Sequence, residues 1–257
     1  MIFFTEIYKF RTVLFQLIHQ QVTLRYRRTV FGFLWTLLNP LLNMAIIAVV
    51  FSMVMKFQVN DYAIFLFSGM IPWAIFSNSL NQASSALIAN ESLFKKIYLP
   101  KQIFIISTVT TTLIDSLLST ACLFIIALFL GASMTPALLI LPLSFIIFTV
   151  FALGLSLILS IVSVYFRDAQ YLVGVVIQAL YFATPIIYPI TAIPEKFHFI
   201  FTSNPLFYFL ELFRQPIYNG KIPDSFTLMI CSLVSVVTLF LGVWFFNRNS
   251  AKIIFRL

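Results

Sequence analysis

The sequence predicts an all-α integral membrane protein with six transmembrane helices and an N-terminal amphipathic interfacial helix. It adds a short amphipathic cytoplasmic helix and short re-entrant helices on the outer side before the last span. Three observations predict this class. Of 257 residues, 61% are hydrophobic and only 9% charged, against roughly 25% charged in soluble domains. Six apolar runs each match a hydrocarbon core that takes about 20 helical residues to cross. The Lys and Arg residues are divided unevenly between the connections, which sets an orientation. The chain reads as one transmembrane unit, with an amphipathic segment over 1–30, a six-span core over 31–247 and a tail over 248–257.

The first element runs from Phe3 to Leu24. Phe3, Ile7, Phe10, Leu14, Leu17 and Leu24 keep helical spacing, with Glu6, Lys9, Arg11, Gln16, His19 and Gln20 between them. One apolar stripe therefore faces either the headgroup plane or the rest of the protein. No basic region, short apolar core and small-residue cleavage site precede the first span, which is expected to direct insertion itself. The spans follow at about Phe33 to Met55, Tyr62 to Ile88, Ile103 to Leu130, Ala137 to Tyr165, Tyr171 to Ile187 and Phe226 to Phe246.

Six spans put both termini on one side. That side carries twelve of the sixteen Lys and Arg residues, and the other holds Lys56, Lys196, Arg214 and Lys221. The termini are therefore expected in the cytoplasm. Between the second and third spans lies Glu91 to Lys101, basic, amphipathic, too polar to cross a bilayer and too short to be a domain. It offers a cytoplasmic handle to a soluble partner. The connection from Pro189 to Pro223 faces outward; its aromatic residues suit a membrane, but Pro189, Pro194, Pro205 and Pro216 cut it into pieces shorter than a crossing. Short helices dipping into the outer leaflet satisfy both facts, provided their backbone is buried in protein or lines a wet cavity.

Several functions are argued against. The seven glycines never form the phosphate-cradling G-x-x-x-x-G-K-[ST] loop, so ATP is not bound here in that way. His19 and His198 sit in unrelated segments, the eight acidic residues are scattered, and Cys122 and Cys231 fall inside apolar runs as small core residues. No catalytic residue, metal site or cofactor site is expected. The net charge of +8 reads as cytoplasmic Lys and Arg facing anionic lipid rather than nucleic acid.

Two polar stripes remain. Thr108, Thr112, Asp115, Ser119 and Cys122 line one face of the third span, and an intramembrane acid such as Asp115 marks either a wet pathway or a hydrogen-bonded seam between helices. The seam is the preferred reading. Gln170, Gly174, Gln178, Tyr181, Pro185 and Tyr188 line the fifth span, and Trp35, Asn39 and Asn43 form a shorter version on the first. Aromatic faces beside amides suit sugar rings, although interhelical packing gives the same pattern. Ala152, Ser156 and Ser160 on the fourth span read as a small-residue seam with no transport role. A path for a large polar substrate needs more wall than six helices leave, which a symmetric dimer would supply.

Short segments in a fixed order between the spans carry a resemblance. They are Leu24-Arg25-Tyr26-Arg27-Arg28-Thr29, Gly32, Trp35 and Asn39-Pro40-Leu41, then Leu93-Phe94-Lys95-Lys96 with Leu99-Pro100. Tyr165-Phe166-Arg167-Asp168, Pro185-Ile186-Ile187-Tyr188-Pro189, Asn204-Pro205-Leu206, Arg214 and Gly220 follow. Together they resemble the membrane subunit of type-2 ABC exporters that move polysaccharides, such as O-antigen and capsule permeases. Ala183-Thr184 precedes Pro185 where that family frequently has Ser.

The resemblance implies a multi-pass protein of the bacterial inner membrane, a homodimer joined to two copies of a nucleotide-binding ATPase that holds the ATP and Mg. It implies that Glu91, Leu93, Phe94, Lys95 and Lys96 form the coupling helix, with Leu93 and Phe94 as apolar anchors and the lysines as rim. Arg25, Arg27 and Arg28 would meet the diphosphate of a lipid-linked glycan, although plain positive-inside anchoring explains them equally well. The path would be lined by Trp35, Asn39, Asn43, Gln178, Tyr181 and Tyr188, and the outer short helices would be periplasmic and shape the exit. The expected substrate is lipid-linked O-antigen. The alternatives are capsule or teichoic acid, an ion-driven flippase using Asp115, and a membrane-embedded transferase that would need an acidic metal-binding pair the sequence lacks.

Overall fold

A computed structural model describes residues 2–26, 35, 38, 42–43, 45–47, 49–51, 59–129 and 135–255. These form helices and turns, with no strand among the described residues. In chain order the helices are α1 (Ile2–Lys9), α2 (Arg11–Tyr26), α3 (Val59–Ala89), α4 (Glu91–Phe94), α5 (Gln102–Phe129), α6 (Leu141–Tyr165), α7 (Ala169–Ala183), α8 (His198–Thr202), α9 (Pro205–Ile217) and α10 (Ser225–Asn249). The described residues between 35 and 51 are also helical.

Four stretches are long and apolar enough to cross a membrane alone: Asp61–Ala89, Gln102–Ala121, Pro136–Tyr165 and Ser225–Asn249. Most of the expected first span lies outside the described residues. The fifth differs from expectation, because α7 has 15 residues and at 1.5 Å per residue reaches only about 22 Å. Its end is set by Pro185, whose ring keeps the preceding residue out of helical conformation; Thr184 is extended, at φ −115° and ψ 134°. The N-terminal element is two helices broken at Phe10, but the helical bonding carries across. Phe10 N–H donates to the Glu6 carbonyl at 2.9 Å, and Leu14 N–H to the Phe10 carbonyl at 3.0 Å.

Helix α6 is central, packed on α3, α5, α9 and α10. Against α10 the backbones nearly touch. A Cβ on Gly154 would lie 2.5 Å from the Thr238 carbonyl carbon, and one on Gly242 would lie 2.9 Å from the Gly154 Cα. Only glycine admits that approach, and Ser235 locks it by donating from Oγ to the Ile147 carbonyl at 2.8 Å. In lipid, where apolar side chains gain little from leaving solvent, such close packing and hydrogen bonding hold helices together. Ala152, Ser156 and Ser160, the expected small-residue seam, are fully buried on the same helix.

The connection from Pro189 to Pro223 folds as two short 3₁₀ turns, Ile190–Ala192 and Glu195–Phe197, followed by α8 and α9. Pro205 opens α9 at its first turn, where no N–H is needed, and the Asn204 Oδ1 accepts the Leu206 N–H at 3.0 Å as its cap. Stacked and edge-on rings dock α9 onto α6, with Phe209 4.5 Å from Phe151 and Phe213 5.1 Å from Phe145.

Pro216 does not cut the chain as expected; it lies inside the last turn of α9. A helical proline orphans the carbonyl four residues back, here that of Leu212, and the buried Ser144 hydroxyl of α6 donates to it at 3.3 Å. The helix ends at Ile217, and the chain turns away at Gly220, whose φ of +63° is the left-handed conformation glycine adopts without strain.

Candidate functional site

The end expected to face the cytoplasm is built from three parts of the chain that lie far apart in sequence. Glu91 to Phe94 make one helical turn after α3, closed by the Leu93 N–H to the Asn90 carbonyl at 3.0 Å. Glu91 pairs with Lys95 one turn on. That hydrogen bond, with the charges of Lys95 and Arg167, holds the Glu91 carboxyl below the usual carboxylate range. Arg167 belongs to the loop between α6 and α7, so two of the expected cytoplasmic surfaces are neighbours.

The two expected apolar anchors point in different directions. Phe94 turns inward, its ring 4.9 Å from that of Phe104 in an edge-on contact. Leu93, Ile97 and Tyr98 are the large apolar side chains left exposed, at 37%, 52% and 75%, and Lys95 and Lys96 are exposed beside them. Phe94 is thus a peg into the body of the protein, and Leu93 and Ile97 make the outer face.

Beneath this face, Glu6 of α1 holds the C-terminal end of the segment where it runs into α5. Its carboxylate accepts from the Tyr98 hydroxyl at 3.0 Å and from Gln102 Nε2 at 2.6 Å, and that bond raises the Tyr98 pKa. Lys101, 9% exposed, donates from Nζ to the Ser250 carbonyl just after α10, at 2.5 Å; burial lowers its pKa. Phe3, Phe246 and Ile253 share one buried cluster with Leu87, Ile105 and Leu157, and Phe94 packs against it. Glu6 had seemed only a polar spacer in sequence. Its role comes from residues more than ninety positions away, which no local pattern reports.

For the N-terminal helices the structure decides between the two sequence readings in part. Phe3 is buried in the protein, whereas Phe4, Tyr8 and Phe15 are exposed, so one face is packed and the opposite face is free. Helix α2 leans on α5 through Gln21, which donates to the Ser107 hydroxyl and accepts from that of Thr111, both at 3.0 Å. The expected stripe is one position off this seam. Thr108 and Thr112 donate to carbonyls of their own helix at 2.9 and 3.0 Å, and Ser119 does so to the Asp115 carbonyl at 2.8 Å. Asp115 is half-buried among them. Arg25 lies in the last turn of α2 with only its backbone described, and Arg27, Arg28 and Asn39 lie outside the described residues.

On the opposite side, the first and fifth spans meet. Ile47 and Phe51 pack on a buried cluster of Tyr62, Phe65, Leu66 and Ile187, and Tyr181 and Tyr188 pack on it too. The Tyr181 ring lies 5.3 Å from that of Trp73, and the Tyr188 hydroxyl donates to the Phe182 carbonyl at 2.5 Å. Gln178, Trp35 and Asn43 are exposed. The sequence reading missed how the turn between Tyr181 and Tyr188 is held. Arg214 Nη2 reaches the carbonyls of Pro185 and Ile186 at 2.9 and 3.3 Å, and the Tyr62 hydroxyl that of Ile187 at 2.7 Å. Asn204 Nδ2 donates to the Thr184 hydroxyl at 3.1 Å, which gives Thr184 a use at the position where Ser was expected.

Comparison with known proteins places this geometry. The sequence model of the family described as ABC-2 type transporter matches residues 12–218. An O-antigen export system permease protein from Myxococcus xanthus is 32% identical over 236 residues, covering 91% of either chain. One from Klebsiella pneumoniae is 31% identical over 233 residues, covering 90% of this chain and 89% of the relative. A polysialic acid transport protein from Escherichia coli is 27% identical over 230 residues, covering 87% and 88%.

Proposed function

Because this chain belongs to the ABC-2 type transporter family, we propose that it is the membrane subunit of an exporter moving lipid-linked O-antigen across the bacterial inner membrane. The energy comes from a separate nucleotide-binding ATPase, and two copies of this chain work with two of that subunit. The observation that carries the reading is the cytoplasmic platform. Leu93 and Ile97 stand exposed beside Lys95 and Lys96, on a base fixed by Phe94, Glu6 and Lys101. A few apolar anchors ringed by polar side chains are what a groove on a soluble partner grips. A rigid base is what transmits its movement. Under this reading the platform and both termini are cytoplasmic and the Pro189 to Pro223 connection is periplasmic.

The meeting of the first and fifth spans around Tyr181 and Tyr188 supports a polymer path between them, with Trp35, Asn39, Asn43 and Gln178 along it. Helix α7 buries only Ala169, Val173 and Ile177, so its remaining faces are available to the path and to a second copy. Arg25, Arg27 and Arg28 would meet the lipid diphosphate on the cytoplasmic side.

O-antigen is preferred over capsule because the O-antigen permeases share more of the sequence, 32% and 31% against 27%. Deleting the gene is expected to trap one lipid-linked polymer in the cytoplasm. Accumulation of a capsular polymer would move the assignment to capsule, and no accumulation would remove the export reading. For the path, Tyr181→Ala is expected to lower surface glycan by roughly tenfold, the effect of losing about 1.4 kcal/mol of stacking, while Ala152→Gly changes it little. Equal effects would assign Tyr181 to packing.

A further inference from the structure

Buried deep in the outer half of the protein is a single guanidinium that the polymer path reading does not use. Arg214 is 5% exposed, and burying a charge is expensive unless its donors are satisfied. Its only carboxylate neighbour among the described residues is Glu211, at 3.7 Å, and its Nε finds no hydrogen-bond acceptor. What it does grip is backbone. Nη2 spans the carbonyls of Pro185 and Ile186, and the guanidinium carbon lies 4.0 Å from the centre of the Phe65 ring. The site is tailored to it, for a Cβ on Gly69 would come within 3.3 Å of Nη2.

The turn it grips has no helical bonding of its own. Thr184 to Tyr188 follow the last turn of α7, and Pro185 forbids the helix to continue. At membrane depth such a backbone stands only if protein donors satisfy its carbonyls, and here they come from other elements: Arg214 of α9 and Tyr62 of α3. Tyr181 lies just before this turn and Tyr188 at its end. Both pack on the cluster that holds Phe65 and Tyr62. Arg214 therefore reaches the two tyrosines by two routes, through the turn carbonyls and through the Phe65 ring.

We propose that Arg214, assisted by Tyr62, is a positioning residue for export: it sets the shape of the turn after the fifth span and so presents Tyr181 and Tyr188 to the passing polymer. This rests on the reading that these tyrosines line the path. A lysine does not replace it, since an ammonium can donate to the two carbonyls but cannot also lay a planar cation over the Phe65 ring.

A double-mutant cycle in cells that carry the partner ATPase and lack their own copy of this chain tests it. Surface glycan is labelled by mild periodate oxidation and a hydrazide dye, and normalised to the permease present in the membrane. Arg214→Gln and Tyr62→Phe are each expected to lower labelling about fivefold or more. Combined with Tyr181→Ala, each should add less than about twofold, because residues acting through one another are not additive. Arg214→Lys should not rescue. Multiplying defects, normal export by either single variant, or rescue by Lys would overturn the proposal. If Arg214→Gln fails to reach the membrane, the Tyr62→Phe cycle decides alone, since that change removes one hydroxyl and keeps the ring. Normal export by Tyr181→Ala would instead remove the path reading on which the proposal stands.

Discussion

Leu93→Asp is expected to abolish export while the chain still inserts and accumulates in the membrane. Leu93 is exposed on the one-turn helix α4, so a charge there costs the fold little. It places an unpaired carboxylate where the proposed partner would bury an apolar anchor, a loss of about 2 kcal/mol or more and roughly thirtyfold in affinity. The check is recovery of the ATPase with affinity-purified permease, read together with surface glycan. Wild-type recovery and export would show that this face does not dock the ATPase. Phe94→Asp is the poorer test, because its ring is seated against Phe104 and the change would disturb the base as well as the face.

The second large effect belongs to the membrane core. Gly154→Leu is expected to prevent stable packing of α6 on α10, at a cost of at least about 3 kcal/mol. Even the first carbon of a side chain would sit 2.5 Å from the Thr238 backbone, and backbone cannot swing aside as a flexible side chain does. Thermal aggregation of a fluorescently tagged permease in detergent measures this. A melting point equal to wild type would mean that the helices separate without penalty and that the glycine contact is incidental. Since α6 also carries α3, α5 and α9, the loss should spread through the whole bundle.

The class of fold was legible because it depends on quantities the sequence states outright: long apolar runs, few charges, and proline at the breaks. Four of the six runs appear as helices long enough to cross alone. The shortness of α7 was also written in the chain, at Pro185, but was obscured by the apolar Ile186 and Ile187 that prolong the run. The direction of Phe94 could not be read, since a single helical turn has too few residues to show a period. Gln21, Glu6 and Arg214 were hidden for a different reason. Each is polar in a polar or mixed stretch, and its role is conferred by partners from distant segments: Ser107 and Thr111, Tyr98 and Gln102, and the carbonyls of Pro185 and Ile186. Pro216 misled in the opposite sense, because the hydroxyl that repairs its helix sits on α6, at Ser144.

Phe3 and Ile253 lie in the same buried cluster against which Phe94 rests, and Lys101 is tied to Ser250. The chain therefore closes on itself, with a residue of α1 and one from beyond α10 completing the same buried cluster. A chain cut short of α10 lacks part of the foundation under Leu93 and Ile97. Under the proposed docking of the ATPase on that face, a chain lacking the segment around Ile253 is expected to hold it more weakly.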